Sequence, residues 1–168
     1  MASEAIVLTA VAGSGGVSTA FDLRTRRIPN ALTLGLSALG VTLAATHVSN
    51  ITVAGALFGF LVGLLIMLPG HFIGATGAGD VKLMAAFGTM LGPERIGMAF
   101  LYTAVAGGAL AVIVAMRRRR LLTTLENAAT LVKTGGSNVA EIESATADNR
   151  FAYAPAIALG VMVAALGV

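Results

Sequence analysis

The chain reads as a series of apolar runs separated by short polar or glycine-rich breaks. A helix needs roughly 20 apolar residues to cross a bilayer, and six candidate spans can be marked at about 5–21, 30–46, 51–68, 81–91, 96–116 and 151–168. The first run is not a cleavable leader by pattern: it lacks a basic start, carries Glu4 instead, and closes on the charged Asp22-Leu23-Arg24. The fourth run is only 11 residues, about 17 Å of helix, before Gly92-Pro93 breaks it. Four glycines (Gly70, Gly74, Gly77 and Gly79) fall in the segment 70–79 before it. We read this segment as a loop that dips below the membrane surface, with Asp80 at the start of helix 4. Irregular backbone is tolerated at that depth only inside protein or beside a wet cavity.

Composition agrees with an all-α, polytopic membrane protein of one domain. Hydrophobic residues make up 57% of the 168 and charged residues 11%, with a mean hydropathy of +0.88. No soluble domain of this length hides that much apolar surface. There is no cysteine, which excludes disulfides and thiolate metal sites, and two histidines are too few for a histidine-built centre. Carboxylates could still hold a cation, and the expectation, from the chemistry of the acid pair described below, is that neither metal nor organic cofactor is required.

Loop charge gives orientation. If all six spans cross, one side collects Arg24, Arg26, Arg27, Lys82, Arg117, Arg118, Arg119, Arg120, Lys133 and Arg150, and the other only Arg95. The positive-inside rule then puts both chain ends outside. It also puts Asp22 and Asp80 at one depth, on the cytoplasmic side. An acid against a membrane span is costly and reads first as a functional site. Two at matching depth meet the geometric precondition for a catalytic pair. The bland alternative is that Asp22 balances the arginines and Asp80 caps helix 4.

The residues around these acids resemble a known family. Asp22-Leu23-Arg24-Thr25-Arg26-Arg27-Ile28-Pro29-Asn30 is similar to the first aspartate segment of the prepilin peptidases, the type IV leader peptidase family of GxGD membrane aspartyl proteases. Gly77-Ala78-Gly79-Asp80-Val81-Lys82-Leu83 resembles that family's signature, and Tyr153–Gly160 its last span. The resemblance implies that Asp22 and Asp80 are catalytic, that the partner is a pilin-like precursor, and that its short basic leader is removed, usually after a glycine. It implies the inner (cytoplasmic) membrane as location. Larger bacterial members carry an additional N-terminal portion with paired cysteines and methylate the new N-terminus. This chain starts at its first span without cysteine, so it is most similar to the short peptidases of tight-adherence (Flp) pili, with archaeal pre-archaellin peptidases a second possibility, and no methyl transfer is expected.

Other positions have plainer readings. Gly77 and Gly79 would let an extended substrate approach Asp80. Lys82 is able to act on Asp80 or to snorkel to lipid phosphate, and Asn30 to hydrogen-bond near the site. Pro29 suits the first turn of helix 2. Gly55, Gly59 and Gly63 form a helix-packing face, within one chain or between two, so the oligomeric state stays open. His71 reads as a hydrogen-bonded loop residue. Arg117–Arg120 would attract anionic membrane lipids and not nucleic acid. Leu121, Leu122, Leu125, Ala128, Ala129, Leu131 and Val132 suggest an amphipathic helix on the membrane, followed by a polar linker over 138–150. The competing class is a small transporter or channel component that uses the same acids as ion sites.

Overall fold

The computed structural model of the chain describes residues 2–117, 129 and 152–167. Arg118–Arg120, the expected surface helix apart from position 129, and the linker lie outside the described residues. Five helices follow in order: α1 (Ala2–Thr25), α2 (Asn30–Ala45), α3 (Val53–Phe72), α4 (Ala78–Arg117) and α5 (Ala154–Ala165). The described residues are therefore all-α. By length and composition, three stretches are long and apolar enough to cross a membrane: Ser3–Thr25, Val53–Phe72 and Ala78–Val114. α2 and α5 are shorter, with 16 and 12 residues.

α4 has two arms. Gly92, at φ 79° and ψ 175°, leaves the helical region and divides 78–91 from 93–117. This is the break expected at Gly92-Pro93. An L side chain would be strained at that positive φ. The second arm returns to the end where the first begins, since its Gly107 lies against the Tyr153 ring at the start of α5.

The first arm is the centre of the molecule. Val81, Leu83, Met84, Ala85, Ala86, Phe87, Met90 and Leu91 are all buried, on every face of the helix. A helix apolar all round belongs inside a fold, and this one packs directly against α3 and α2. Its shortness is thereby explained, because protein surrounds it.

These contacts close at glycines. A Cβ on Gly59 of α3 would run into the carbonyl oxygen of Gly88, and one on Gly88 into that of Gly59. One turn on, a Cβ on Gly63 would stand 2.8 Å from the Met84 carbonyl oxygen. On the other flank a Cβ on Gly40 of α2 would meet the Thr89 hydroxyl. Helices in lipid gain little from apolar contact as such, so close backbone approach through small residues is what joins them. Gly59 and Gly63 thus pack within the chain, as the glycine face allowed. Gly55 is different. Its N–H donates to the Thr52 hydroxyl at 3.0 Å and caps α3.

The expected glycine loop is shorter than 70–79. α3 continues through Pro69 to Phe72, and α4 starts at Ala78. The α3 terminus closes as a Schellman motif: Gly74 at φ 72° donates to the His71 carbonyl (3.0 Å), and Ala75 to that of Gly70 (2.8 Å). Hydrogen bonds within one helical end satisfy what a loop at membrane depth would leave bare. His71 falls in the last turn of α3 with Nδ1 3.1 Å from the Thr76 carbonyl oxygen. Other boundaries also move. α1 reaches Thr25, so Asp22 lies within the helix, and Pro29 is the N-cap of α2 and not its first residue.

Gly88→Ala should lower the thermal midpoint in detergent by the equivalent of about 1–3 kcal/mol, the usual cost of overpacking. Gly13→Ala and Gly16→Ala, where a Cβ meets nothing within 4 Å, should match the parent. A Gly88→Ala midpoint equal to theirs would contradict the backbone contact described.

Candidate active site

Asp22 stands one turn before the end of α1 and is 6% exposed. Its Oδ2 accepts a hydrogen bond from the Ala154 N–H at 3.0 Å, across 132 residues. The reason is local. Ala154 opens α5, and the first N–H groups of a helix have no partner within it. A buried carboxylate supplies one and meets the positive end of the helix dipole. Pro155, next in line, has no N–H to satisfy.

Asp80 stands in the first turn of α4. Gly77 is the N-cap: its carbonyl accepts from Asp80 N–H (3.1 Å) and Val81 N–H (3.2 Å). The Asp80 Oδ2 reaches back to the Gly77 N–H at 3.3 Å. This is the acidic half of a capping box, with glycine where a hydroxyl side chain usually stands. Asp80 is half-buried.

The two carboxyl groups are close enough to feel each other's charge. Each spends one oxygen on a backbone N–H. Among the described residues, the second oxygen of each has no hydrogen-bond partner. The structure thus brings Asp22, the last turn of α1, the start of α2 and the start of α4 to one end of the bundle. Arg24 and Arg27 are exposed at that end. Glu94 and Arg95 lie just past Gly92, at the far turn of α4.

The remaining expected positions surround this pair. Lys82 donates from Nζ to the Asn30 Oδ1 at 2.9 Å, tying the start of α2 to α4. This is the contact that the structure gives Lys82, beside the two roles read for it in the sequence. Gly79 serves a neighbour within the chain, since a Cβ there would meet the Ile28 Cβ at 3.2 Å. Gly77 is exposed, and a Cβ there would crowd the Asp80 Oδ2 at 3.1 Å. Among the described residues no group of three His, Cys, Asp or Glu could hold a metal ion. An open apolar depression lined by Ala5, Ile6, Thr9 and Ala10 lies on the N-terminal part of α1, away from both aspartates.

Sequence reasoning missed the segment before α5. Ala154 acts through its backbone, which no side-chain motif reports. Tyr153 has its ring packed on Gly107 and lies within the field of Asp80. The proline at 155 marked a helix start, and that was the available signal.

Residues 9–112 match the sequence profile of the type IV leader peptidase family. The chain belongs to that family. It is 38% identical over 109 residues to a protein of Burkholderia pseudomallei (strain 1026b) named prepilin leader peptidase/N-methyltransferase, and equally to its counterpart in strain K96243. The matched stretch is 60% of this chain and 35% of each relative, so the chain spans about a third of their length. No solved structure matches it. The matched residues include both aspartates and both tie points, Asn30 and Lys82, and stop short of Tyr153 and Ala154.

The Ala154 contact separates the structural role of Asp22 from its charge. Asp22→Asn keeps an acceptor oxygen and should hold the thermal midpoint near that of the parent. Asp22→Leu strands a buried N–H and should cost about 1–3 kcal/mol. Equal midpoints for the two variants would remove the α1–α5 tie.

Proposed function

We propose that this chain is an aspartic endopeptidase of the cytoplasmic membrane that removes the short basic leader from pilin-like precursors, of the tight-adherence (Flp) type, with Asp22 and Asp80 as the catalytic pair. The observation that carries the reading is that two acids 58 positions apart (80 − 22) converge at one end of the bundle, each held by a helix N-terminal N–H and each with an oxygen to spare. Membership in the type IV leader peptidase family supports the reaction class. The names of the relatives support the substrate.

The chemistry follows from the pair. Two carboxyls within each other's field do not both ionise cheaply, so they share a proton. The ionised one takes a proton from water, and that water attacks the scissile carbonyl. The protonated one hydrogen-bonds the carbonyl oxygen and afterwards supplies the proton for the leaving amine. The pair titrates as a unit, and neither member is assigned as base.

Topology is part of the proposal. If both arms of α4 cross and α2 and α5 cross with them, there are six spans with both chain ends outside. Support comes from the charges: Arg24, Arg26, Arg27 and Lys82 gather at the aspartate end, and Arg95 is at the other. A pilin precursor holds its basic leader inside and its apolar helix in lipid, which brings the bond between them to the depth of the two acids. The proposal is confined to cleavage. The 168 residues hold none of the cysteines that the resemblance attaches to methylating members.

The test is purified protein mixed with a pilin-like precursor and followed by gel mobility. Asp22→Asn and Asp80→Asn should each reduce cleavage by at least about a hundredfold while expression is unchanged. The rate should be bell-shaped in pH. It falls toward acid as both carboxyls become protonated and no base remains, and toward alkali as both ionise and no acid remains. Parent-rate cleavage by both variants would end the protease reading. Ion flux in liposomes without any peptide, lost in the same variants, would favour the transport class.

A further inference from the structure

Tyr153 is joined to the candidate site from three sides. Its neighbour Ala154 gives its N–H to Asp22 at 3.0 Å. Its ring fills the place of a side chain at Gly107, on the second arm of α4, where a Cβ would collide with it. Its hydroxyl points along that arm to the Thr103 carbonyl oxygen at 3.5 Å. The residue is half-buried and lies in the field of the Asp80 carboxyl. A phenol oxygen is thus held against the second arm of α4, next in sequence to the residue that ties down Asp22.

Its present bond is a poor one. O–H···O bonds usually run about 2.5–3.0 Å, so 3.5 Å to a carbonyl is given up at little cost. Asp80 offers a stronger acceptor, since hydrogen bonds to charged groups are about twice as strong as neutral ones. The Asp80 oxygen not used by Gly77 makes no bond. The ring rests on Gly107, and the hydroxyl meets Asp80 when the tyrosine or the Asp80 side chain turns as substrate enters. The charged group whose field reaches it is Asp80 on the first arm of α4, and Asp22 on α1 is bonded to the backbone of its neighbour Ala154. Lys82, two positions from Asp80, is turned to Asn30.

We propose that Tyr153 is a positioning residue for the cleavage reaction: its hydroxyl leaves the Thr103 carbonyl and donates to Asp80 when substrate occupies the site, fixing that carboxyl against Asp22. The inference rests on the aspartate-pair reading above and adds a residue from the third segment of the site. No bond is made or broken by the tyrosine. It donates a hydrogen bond and keeps its proton.

Tyr153→Phe is the test, because it keeps the ring on Gly107 and removes only the hydroxyl. Cleavage of a pilin-like precursor should show kcat lowered about ten- to a hundredfold, the loss of one hydrogen bond to a charged group, with KM near that of the parent. The acid limb of the pH–rate profile should move to higher pH, since the ionised form of the pair has lost a donor. The thermal midpoint should stay put. Gly107→Ala pushes the ring aside with its hydroxyl intact and should reproduce the kcat loss, and the double variant should be no worse than either single one. The proposal is overturned if Tyr153→Phe cleaves at the parent rate with an unmoved pH profile, or if its loss of rate tracks a loss of thermal stability. The two readings separate cleanly. Silence of Tyr153→Phe beside inactive Asp22→Asn and Asp80→Asn removes the tyrosine alone, whereas active asparagine variants remove the pair and the tyrosine's role with it.

Discussion

The contact of α3 with the first arm of α4, backbone against backbone at Gly59 and Gly88, fixes everything around it. No side chain stands between the two helices there, so neither can slide or roll without a collision or a gap. In lipid this closeness is what holds helices together, because apolar contact alone offers no advantage over lipid tails. The depth of the first arm is thereby set, and with it the height of Asp80. Thr89 against Gly40 locks the same arm to α2 on another flank.

The second dependence is electrical. A carboxylate buried among apolar helices carries a large desolvation cost unless hydrogen bonds and dipoles offset it. Both acids solve this with backbone donors at helix starts: Asp80 within its own first turn, Asp22 at the start of another helix. Neither acid depends on a cation among the described residues for that purpose. Lys82, two positions from Asp80, is turned to Asn30. A pair stabilised by peptide dipoles keeps its free oxygens available, whereas a pair neutralised by an ammonium group would have them covered. The arrangement suits chemistry on a neutral amide bond, where one carboxyl has to give a proton and the other to take one.

The sequence was most legible where physics is local and one-dimensional. Apolar runs, the break at Gly92-Pro93 and the placement of two acids beside basic residues were all visible, because hydropathy, glycine and charge need no partner to be recognised. Gly59 and Gly63 announced a packing face by spacing alone, although only the fold shows that α4 fills it. What escaped was three-dimensional. The glycine segment reads as an irregular loop in one dimension, and in the fold its glycines close a Schellman motif and an N-cap. The packing of Gly79 against Ile28 was not legible in the sequence. Lys82 was weighed against its sequence neighbour Asp80, and its bond is to a residue 52 positions away. The N–H of Ala154 carries no side-chain signal at all.

This last omission has a structural meaning. The family match ends at residue 112 and both acids lie within it, yet the group that holds Asp22 comes from beyond that limit. α5 begins where α1 ends and runs back along it, with Ala158 against Gly15 and Gly160 against Thr103. It therefore wedges α1 against the second arm of α4. That wedge ties the end of α1 to the second arm of α4 through one short segment, in which the Ala154 N–H is given to Asp22 and the Tyr153 hydroxyl to the Thr103 carbonyl. A shift of α5 along α1 would disturb both contacts together. The final helix is thus the element that ties α1 to the second arm of α4, and the small residues along it are what let the three helices approach so closely.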